Sequence, residues 1–219
     1  MHDPLLRIAR DAPQQHERAI AILSQAFARD PALEYFTQPA APAARPALRR
    51  RLIASLVRMH LRSGHSLWGW QDGEALIGCA LVEDAAAPLR RAAALLGELP
   101  ALLRLPVQTL RRLNAYGAES QRRRPPGTTV FLAMIGLCDS ARGQGHGAGF
   151  MRALHDGYGT RAHWALDTEN ADNLAFYQRL GYQLYATETL GPVRMFKMQR
   201  SPAMPLPEPE PESRHENQP

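Results

Sequence analysis

Cysteine is nearly missing from this chain of 219 residues: it has two, Cys79 and Cys138. Both fall in strand-like apolar runs, without the spacing of a metal site or a disulfide framework, so a reducing cytoplasm is the expected compartment and no metal is expected. Long apolar runs are missing too. The most apolar stretch, residues 92–107, is broken by Glu98, Pro100, Arg104 and Pro106, well short of the roughly 20 uninterrupted residues of a membrane span. The first ten residues lack a basic segment followed by an apolar one, so they do not read as a signal peptide. Aromatic residues make up 7% of the chain, and no strand carries the aromatic-studded face that readers of single-stranded RNA use. No internal repeat is present. These absences point to a soluble protein that binds neither nucleic acid nor membrane.

What is present is an ordinary apolar fraction of 45% and a net charge of +5, carried mostly by arginine. A basic balance suits an anionic ligand such as a nucleotide cofactor. The runs Arg49-Arg50-Arg51 and Arg122-Arg123-Arg124 read as solvated helix faces or loop edges. The length suits one domain with a sizeable core, or one domain with an insert.

Periodicity predicts a short strand at 5–9 and a helix at 14–27, ended by Asp30-Pro31. A second helix follows at 48–61. Residues 66–70 and 75–82 flank an Asp-Gly turn and read as a β-hairpin. Residues 85–121 look helical, broken at Pro100 and Pro106, and form an insert reaching to about 124. Strands are expected at 128–138 and 162–167, helices after Gly143 and at 171–180, and closing strands at 183–186 and 193–199. Gly181 suits the position just past a helix. Residues 201–219, rich in Pro and Glu, cannot bury enough apolar surface to offset their ordering and read as a disordered tail. The order implies an α/β domain over 1–200, built on a mixed sheet flanked by helices.

The strongest local signal runs from Leu137 through Gly149. A strand ends, Gly143, Gly145, Gly147 and Gly149 follow at alternate positions, and a helix begins. Glycines let backbone N–H groups converge on one point, and the helix N-terminus adds its positive dipole end, which together make a phosphate cradle. A Rossmann fingerprint is a competing match through Gly143, Gly145 and Ala148, with Asp167 about 20 residues on. It should open directly from the strand, yet four residues separate Cys138 from Gly143, and no series of βαβ units follows.

Arg142-x-x-Gly145-x-Gly147 resembles the (Gln/Arg)-x-x-Gly-x-(Gly/Ala) signature of the GNAT (GCN5-related) N-acetyltransferases. Downstream, Leu166-Asp167-Thr168 with Asn173, Tyr177, Gly181 and Tyr182 resembles a second conserved region of that superfamily. The resemblance covers about 128–198; the N-terminal half matches in the order of its elements and in Phe27-x-x-Asp30-Pro31. One bacterial branch opens the cofactor strand with His-Trp-Tyr-Leu where this chain has Thr129-Val130-Phe131-Leu132, so the resemblance is to the superfamily.

That resemblance implies the GNAT fold and acetyl-CoA as co-substrate. The fourth and fifth strands would splay around pantetheine. The backbone N–H of Leu137 would meet the thioester carbonyl, and Arg142, Gly143, Gln144, Gly145, Gly147 and Ala148 would hold the pyrophosphate. Asn173 would meet the pantetheine amides. Tyr177, four residues on and so on the same helix face, would protonate the departing thiolate. The implied reaction is direct transfer of acetyl to an amine of a small molecule or peptide, without an acetyl-enzyme. Cys138 is expected to be a buried structural thiol and His146 incidental. Asp30, Glu34, Glu83, Asp167 and Glu169 are all open as general base. The alternative is a non-catalytic acyl-CoA-binding or sensing module. Oligomeric state stays open, a homodimer included.

Overall fold

The computed structural model describes residues 3–84 and 88–202; most of the expected tail, 203–219, lies outside them. Seven strands form one sheet: β1 (Leu5–Arg7), β2 (Ser66–Asp72), β3 (Ala75–Glu83), β4 (Val130–Leu137), β5 (Trp164–Thr168), β6 (Gln183–Leu190) and β7 (Val193–Arg200). Their spatial order is β1-β2-β3-β4-β5-β7-β6. Only β4 and β5 run parallel; every other neighbouring pair is antiparallel.

Strand alternation sorts the core into two layers. On one face Cys79 and Leu81 of β3 meet Ala19, Ile22 and Leu23 of helix α1 (Pro13–Ala26) and Leu52, Ile53 and Val57 of α3 (Arg45–Arg62). On the other, Ala80 and Val82 meet Phe150, Met151 and Leu154 of α6 (His146–Tyr158) and Tyr177 of α7 (Asn173–Arg179). Gly136 of β4 allows α1 to come close. A Cβ there would lie 2.7 Å from that of Ala26, nearer than packed carbons tolerate.

Asp30-Pro31 begins a helix as well as following one. Asp30 caps α2 (Pro31–Thr37), its carboxylate accepting the N–H of Leu33 at 2.9 Å, and Pro31 occupies the first helical position. An acceptor side chain before a proline with no needed N–H is a start signal.

The insert is two helices, α4 (Pro88–Leu102) and α5 (Val107–Gln121). Pro106 separates them as expected. Pro100 does not break α4 but sits in its last turn, where it lacks the N–H that would bond the carbonyl four residues back. Glu98, buried, pins α4 to α3 by pairing with Arg58 at 2.9 Å and Arg62 at 2.7 Å. The chain's single lysine, Lys197 of β7, is fully buried. It donates to the carbonyls of Glu119 (2.6 Å), Ser120 (3.2 Å) and Arg122 (2.7 Å). Those oxygens end α5; that of Glu119 also accepts the N–H of Arg122 at 3.1 Å, while those of Ser120 and Arg122 have no helical partner. The insert is thereby docked on the domain beside the end of β5.

β4 and β5 pair over only three positions, Val130↔Trp164, Phe131↔Ala165 and Leu132↔Leu166. At that point β4 bulges: Leu81 faces Met134 while Val82 faces Leu132, leaving Ala133 unmatched. A bulge bends its strand and raises the local twist. Beyond it β4 runs on to Leu137 with no partner on the β5 side, and the sheet opens into a gap.

Candidate functional site

The gap has a backbone wall. Cys138 donates its N–H to Ile77 of β3 at 2.8 Å. Alternation along the strand turns the N–H of Leu137 the opposite way, toward the gap. The Leu137 side chain packs in the α6/α7 layer.

At its end β4 enters a 3-10 turn, Asp139–Ala141, then the glycine loop and α6. Gly143 (φ 76°) and Gly145 (φ 83°) take left-handed backbone, which costs an L side chain roughly 1–2 kcal/mol. Among the described residues, no protein acceptor meets the N–H groups of Gly143, Gln144, Gly145, His146 or Gly147. Ala148, expected to complete the set, already bonds the carbonyl of Gly145 at 3.1 Å. Five adjacent free donors at the N-terminus of a 13-residue helix form a nest that fits a pyrophosphate.

Side chains brace this loop. Arg142 reaches the carbonyl of Ala26 at 3.3 Å and pairs with Asp139 at 3.2 Å, tying the loop to the end of α1. Gln144 donates its amide to the carbonyl of Ser140 at 2.6 Å. His146 is not idle in solvent: its Nδ1 accepts the indole N–H of Trp70 at 3.3 Å. Cys138 sits just past β4, half-exposed, with Sγ 3.3 Å from Oγ of Ser140. It is therefore less enclosed than a structural thiol inside a strand would be. Cys79 is the enclosed one, and burial pushes its thiol pKa up.

Across the gap stands α7. Asn173 is exposed at its start and donates to Oγ1 of Thr168 at 3.2 Å. Tyr177, one turn on, is 7% exposed. Its ring packs between Phe176 and Tyr182, and its hydroxyl makes no hydrogen bond among the described residues. Burial first, then the charge of Glu169, raises its pKa.

Acidic groups gather where β5 ends. Asp167 accepts the hydroxyl of Ser120 at 2.6 Å, and Glu169 accepts that of Tyr116 at 2.7 Å. Burial raises the pKa of Asp167 and lifts that of Glu169 to about 8, with the negative charge of Asp30 adding to the latter. Asp30 is itself raised by burial. Glu83, paired with Arg124 at 3.2 Å, lies near enough for its charge to add to the rise at Asp167. Glu34 lines a separate pocket of about 550 Å³ between α2, α3 and the β6–β7 turn. Tyr116 and Ser120 went unnoticed in the sequence. Their signal was a polar pair four residues apart on an otherwise amphipathic helix, a spacing that puts both on one face.

No protein-family model and no curated protein matches the sequence. Solved structures do. A histone acetyltransferase HPA2 and related acetyltransferase from Corynebacterium glutamicum superposes with a TM-score of 0.68 at 19% identity, covering 94% of this chain and 99% of that one. A GCN5-related N-acetyltransferase from Rhodopseudomonas palustris gives 0.51 at 14% identity, covering 92% and 97%. The PaiA N-acetyltransferase from Thermoplasma acidophilum, in complex with coenzyme A, gives 0.54 at 11% identity, covering 92% and 99%. The chain has the GNAT fold, as its motifs implied.

Proposed function

We propose that this protein is an N-acetyltransferase that moves acetyl from acetyl-CoA directly to the amine of a small molecule or peptide. The observation that carries the reading is Tyr177. A tyrosine with a buried ring whose hydroxyl has no protein partner among the described residues, on the helix face that also bears Asn173 and beside a splayed pair of strands, suits a proton donor.

The rest of the gap supports the same reading. The free amides of Gly143 to Gly147 suit the pyrophosphate, and Asn173 offers donor and acceptor to the pantetheine amides. When bound, acetyl-CoA supplies an activated acyl carbon and a thiolate leaving group. The N–H of Leu137 donates to the carbonyl oxygen as charge develops there. Tyr177 gives its proton to the departing sulfur. Its phenolate, whose raised pKa makes it a strong base, recovers a proton from the nitrogen that has just been acylated. Neither Cys138 nor any other thiol is required as nucleophile.

Tyr177→Phe tests this. The ring and its packing are retained while the proton donor is lost, so kcat should fall by about 10²–10⁴-fold with acetyl-CoA affinity unchanged. Thiol release from acetyl-CoA across an amine panel reads the first quantity, and calorimetry the second. Cofactor binding with no turnover of any amine by the wild type would instead favour a non-catalytic acyl-CoA-binding module.

A further inference from the structure

Between α2, the first turn of α3 and the β6–β7 turn lies the pocket of about 550 Å³ that Glu34 borders. That volume is ordinary for a small-molecule site. The pocket is separate from the splayed strands: neither Leu137, the glycine loop, Asn173 nor Tyr177 lines it. Pro42, Pro46, Pro192 and Tyr35 supply much of its wall. Each proline fixes its own φ, so this wall is largely set before a ligand arrives. Tyr35 is set by two neighbours. The Arg112 guanidinium lies 4.3 Å from its ring centroid. Gly191 of the β6–β7 turn, at φ 59°, comes so close that a Cβ there would stand 3.3 Å from the tyrosine hydroxyl.

Arg45 and Arg49 line the same pocket, four residues apart and so on one face of α3. Arg45 donates Nε to the carbonyl of Ala40 at 3.1 Å and Nη2 to that of Gln38 at 3.2 Å. Arg49 donates Nη1 to the carbonyl of Ala28 at 2.7 Å. Both guanidinium groups are thus oriented by neutral oxygens, and both keep N–H groups to spare. Neither has an acid partner among the described residues, and no acid stands in the first turn of α3. Arginines nearby are answered differently: Arg50 pairs with Glu17 at 3.0 Å, and Arg58 and Arg62 share Glu98. Glu34, the acid that lines the pocket, is exposed and pairs with neither Arg45 nor Arg49. The pocket therefore holds two fixed positive forks, one loose negative charge and an apolar wall. A flat carboxylate accepts such a fork through both of its oxygens.

We propose that this pocket binds an organic carboxylate with an apolar body, its anion on Arg45 and Arg49 and its body against Tyr35 and the prolines. Glu34 sets the affinity from the mouth, weakening the hold on any anion. Two sources share this chemistry. One is a carboxylate borne by the acyl acceptor itself; the other is a separate acid that occupies the pocket without being acylated. The site stands on its own geometry and not on the transferase reading.

The test uses full-length protein, with 3-phenylpropionate as the probe and 3-phenylpropanamide as its neutral counterpart. Calorimetry should show saturable binding of the acid in the low-millimolar range or tighter, and binding of the amide at least about tenfold weaker. Arg49→Gln should weaken the acid about tenfold or more, and Arg49→Lys should restore only part of that, because an ammonium lacks the fork. Glu34→Gln, at an exposed position outside the core, should tighten the acid about two- to threefold. Kinetics then separate the two sources, with phenylalanine and phenylalaninamide as acceptors beside acetyl-CoA. If the acceptor carries the anion, the ratio of kcat/KM for phenylalanine to that for its amide falls about tenfold in Arg49→Gln. If a separate acid is the ligand, that ratio stays at its wild-type value while phenylpropionate binding is still lost. Equal binding of acid and amide, no saturable binding of the acid, or an Arg49→Gln protein that binds it like wild type would overturn the proposal. A wild type that acetylates no amine would count against the transferase reading alone, and the calorimetric result would still decide the site.

Discussion

The indole N–H of Trp70 donates to Nδ1 of His146 at 3.3 Å, joining the β2–β3 hairpin to the first residue of α6. An indole only donates, so a neutral His146 must carry its own proton on Nε2. The Trp70 ring also stacks on Phe150, with centroids 5.4 Å apart and an interplanar angle of 23°. Trp70→Phe keeps an aromatic ring in that stack and deletes the bond. One neutral hydrogen bond contributes about 1 kcal/mol net, so coenzyme A affinity measured by calorimetry should fall about two- to fivefold. An unchanged affinity would mean that the glycine loop holds its shape without the hairpin.

Lys197 makes a second, larger prediction. Lys197→Met keeps most of the volume but strands the carbonyls of Ser120 and Arg122 at the end of α5 and leaves that of Glu119 with the Arg122 N–H alone. Leaving buried acceptors unsatisfied should cost about 2–4 kcal/mol, read from the denaturant midpoint of unfolding. The same change frees α5, so the Tyr116–Glu169 contact should weaken with it. A stability loss under about 0.5 kcal/mol would show that water replaces the ammonium at no net cost.

The elements that carry the expected cofactor residues were legible from sequence because they are written in local chain. The glycine loop, Asn173 and Tyr177 lie in one strand-turn-helix and one short helix, and periodicity plus glycine spacing read both. The hairpin around Gly73 and the strand at β7 were equally local. The acidic cluster at the end of β5 is assembled by long-range packing. Tyr116 meets Glu169 across 53 residues and Ser120 meets Asp167 across 47, and no local pattern encodes such a meeting. Asp30-Pro31 reads as a stop for α1 from the proline alone; the structure makes it a start as well, with Asp30 as the cap of α2. The bulge at Ala133, which opens the gap, leaves no residue-type signature in an apolar strand.

The last prediction concerns Glu169 and stability, where several groups act with opposite sign. The folded pKa of Glu169, about 8, lies above the ordinary 4.5. Between those values the folded state holds a proton that the unfolded state lacks. Acidification from pH 9 toward 6.5 therefore stabilises the fold through this group, and the raised Asp30 and Asp167 act in the same direction at lower pH. His60 and His155 oppose them. Burial lowers both from 6.5 to about 4, so below 6.5 the unfolded state takes two protons that the folded state refuses, and stability falls with acid. From Glu169 and the two histidines, one proton against two, stability should rise from pH 9 to about 6.5 and fall below it, the fall being softened by Asp30 and Asp167. Glu169→Gln carries no charge to bury and keeps the size of the side chain. Its Tm should exceed that of the wild type at pH 9 by several degrees, since each kcal/mol shifts a chain of this size by about 2–4 °C. The two curves should converge toward pH 5, where the wild-type carboxyl is protonated in the fold, while the acid-side fall governed by the histidines stays the same. Calorimetric scans from pH 5 to 9 measure this. A Glu169→Gln protein no more stable than wild type at pH 9 would mean that Glu169 is ionised in the fold without strain, its charge already compensated by its surroundings.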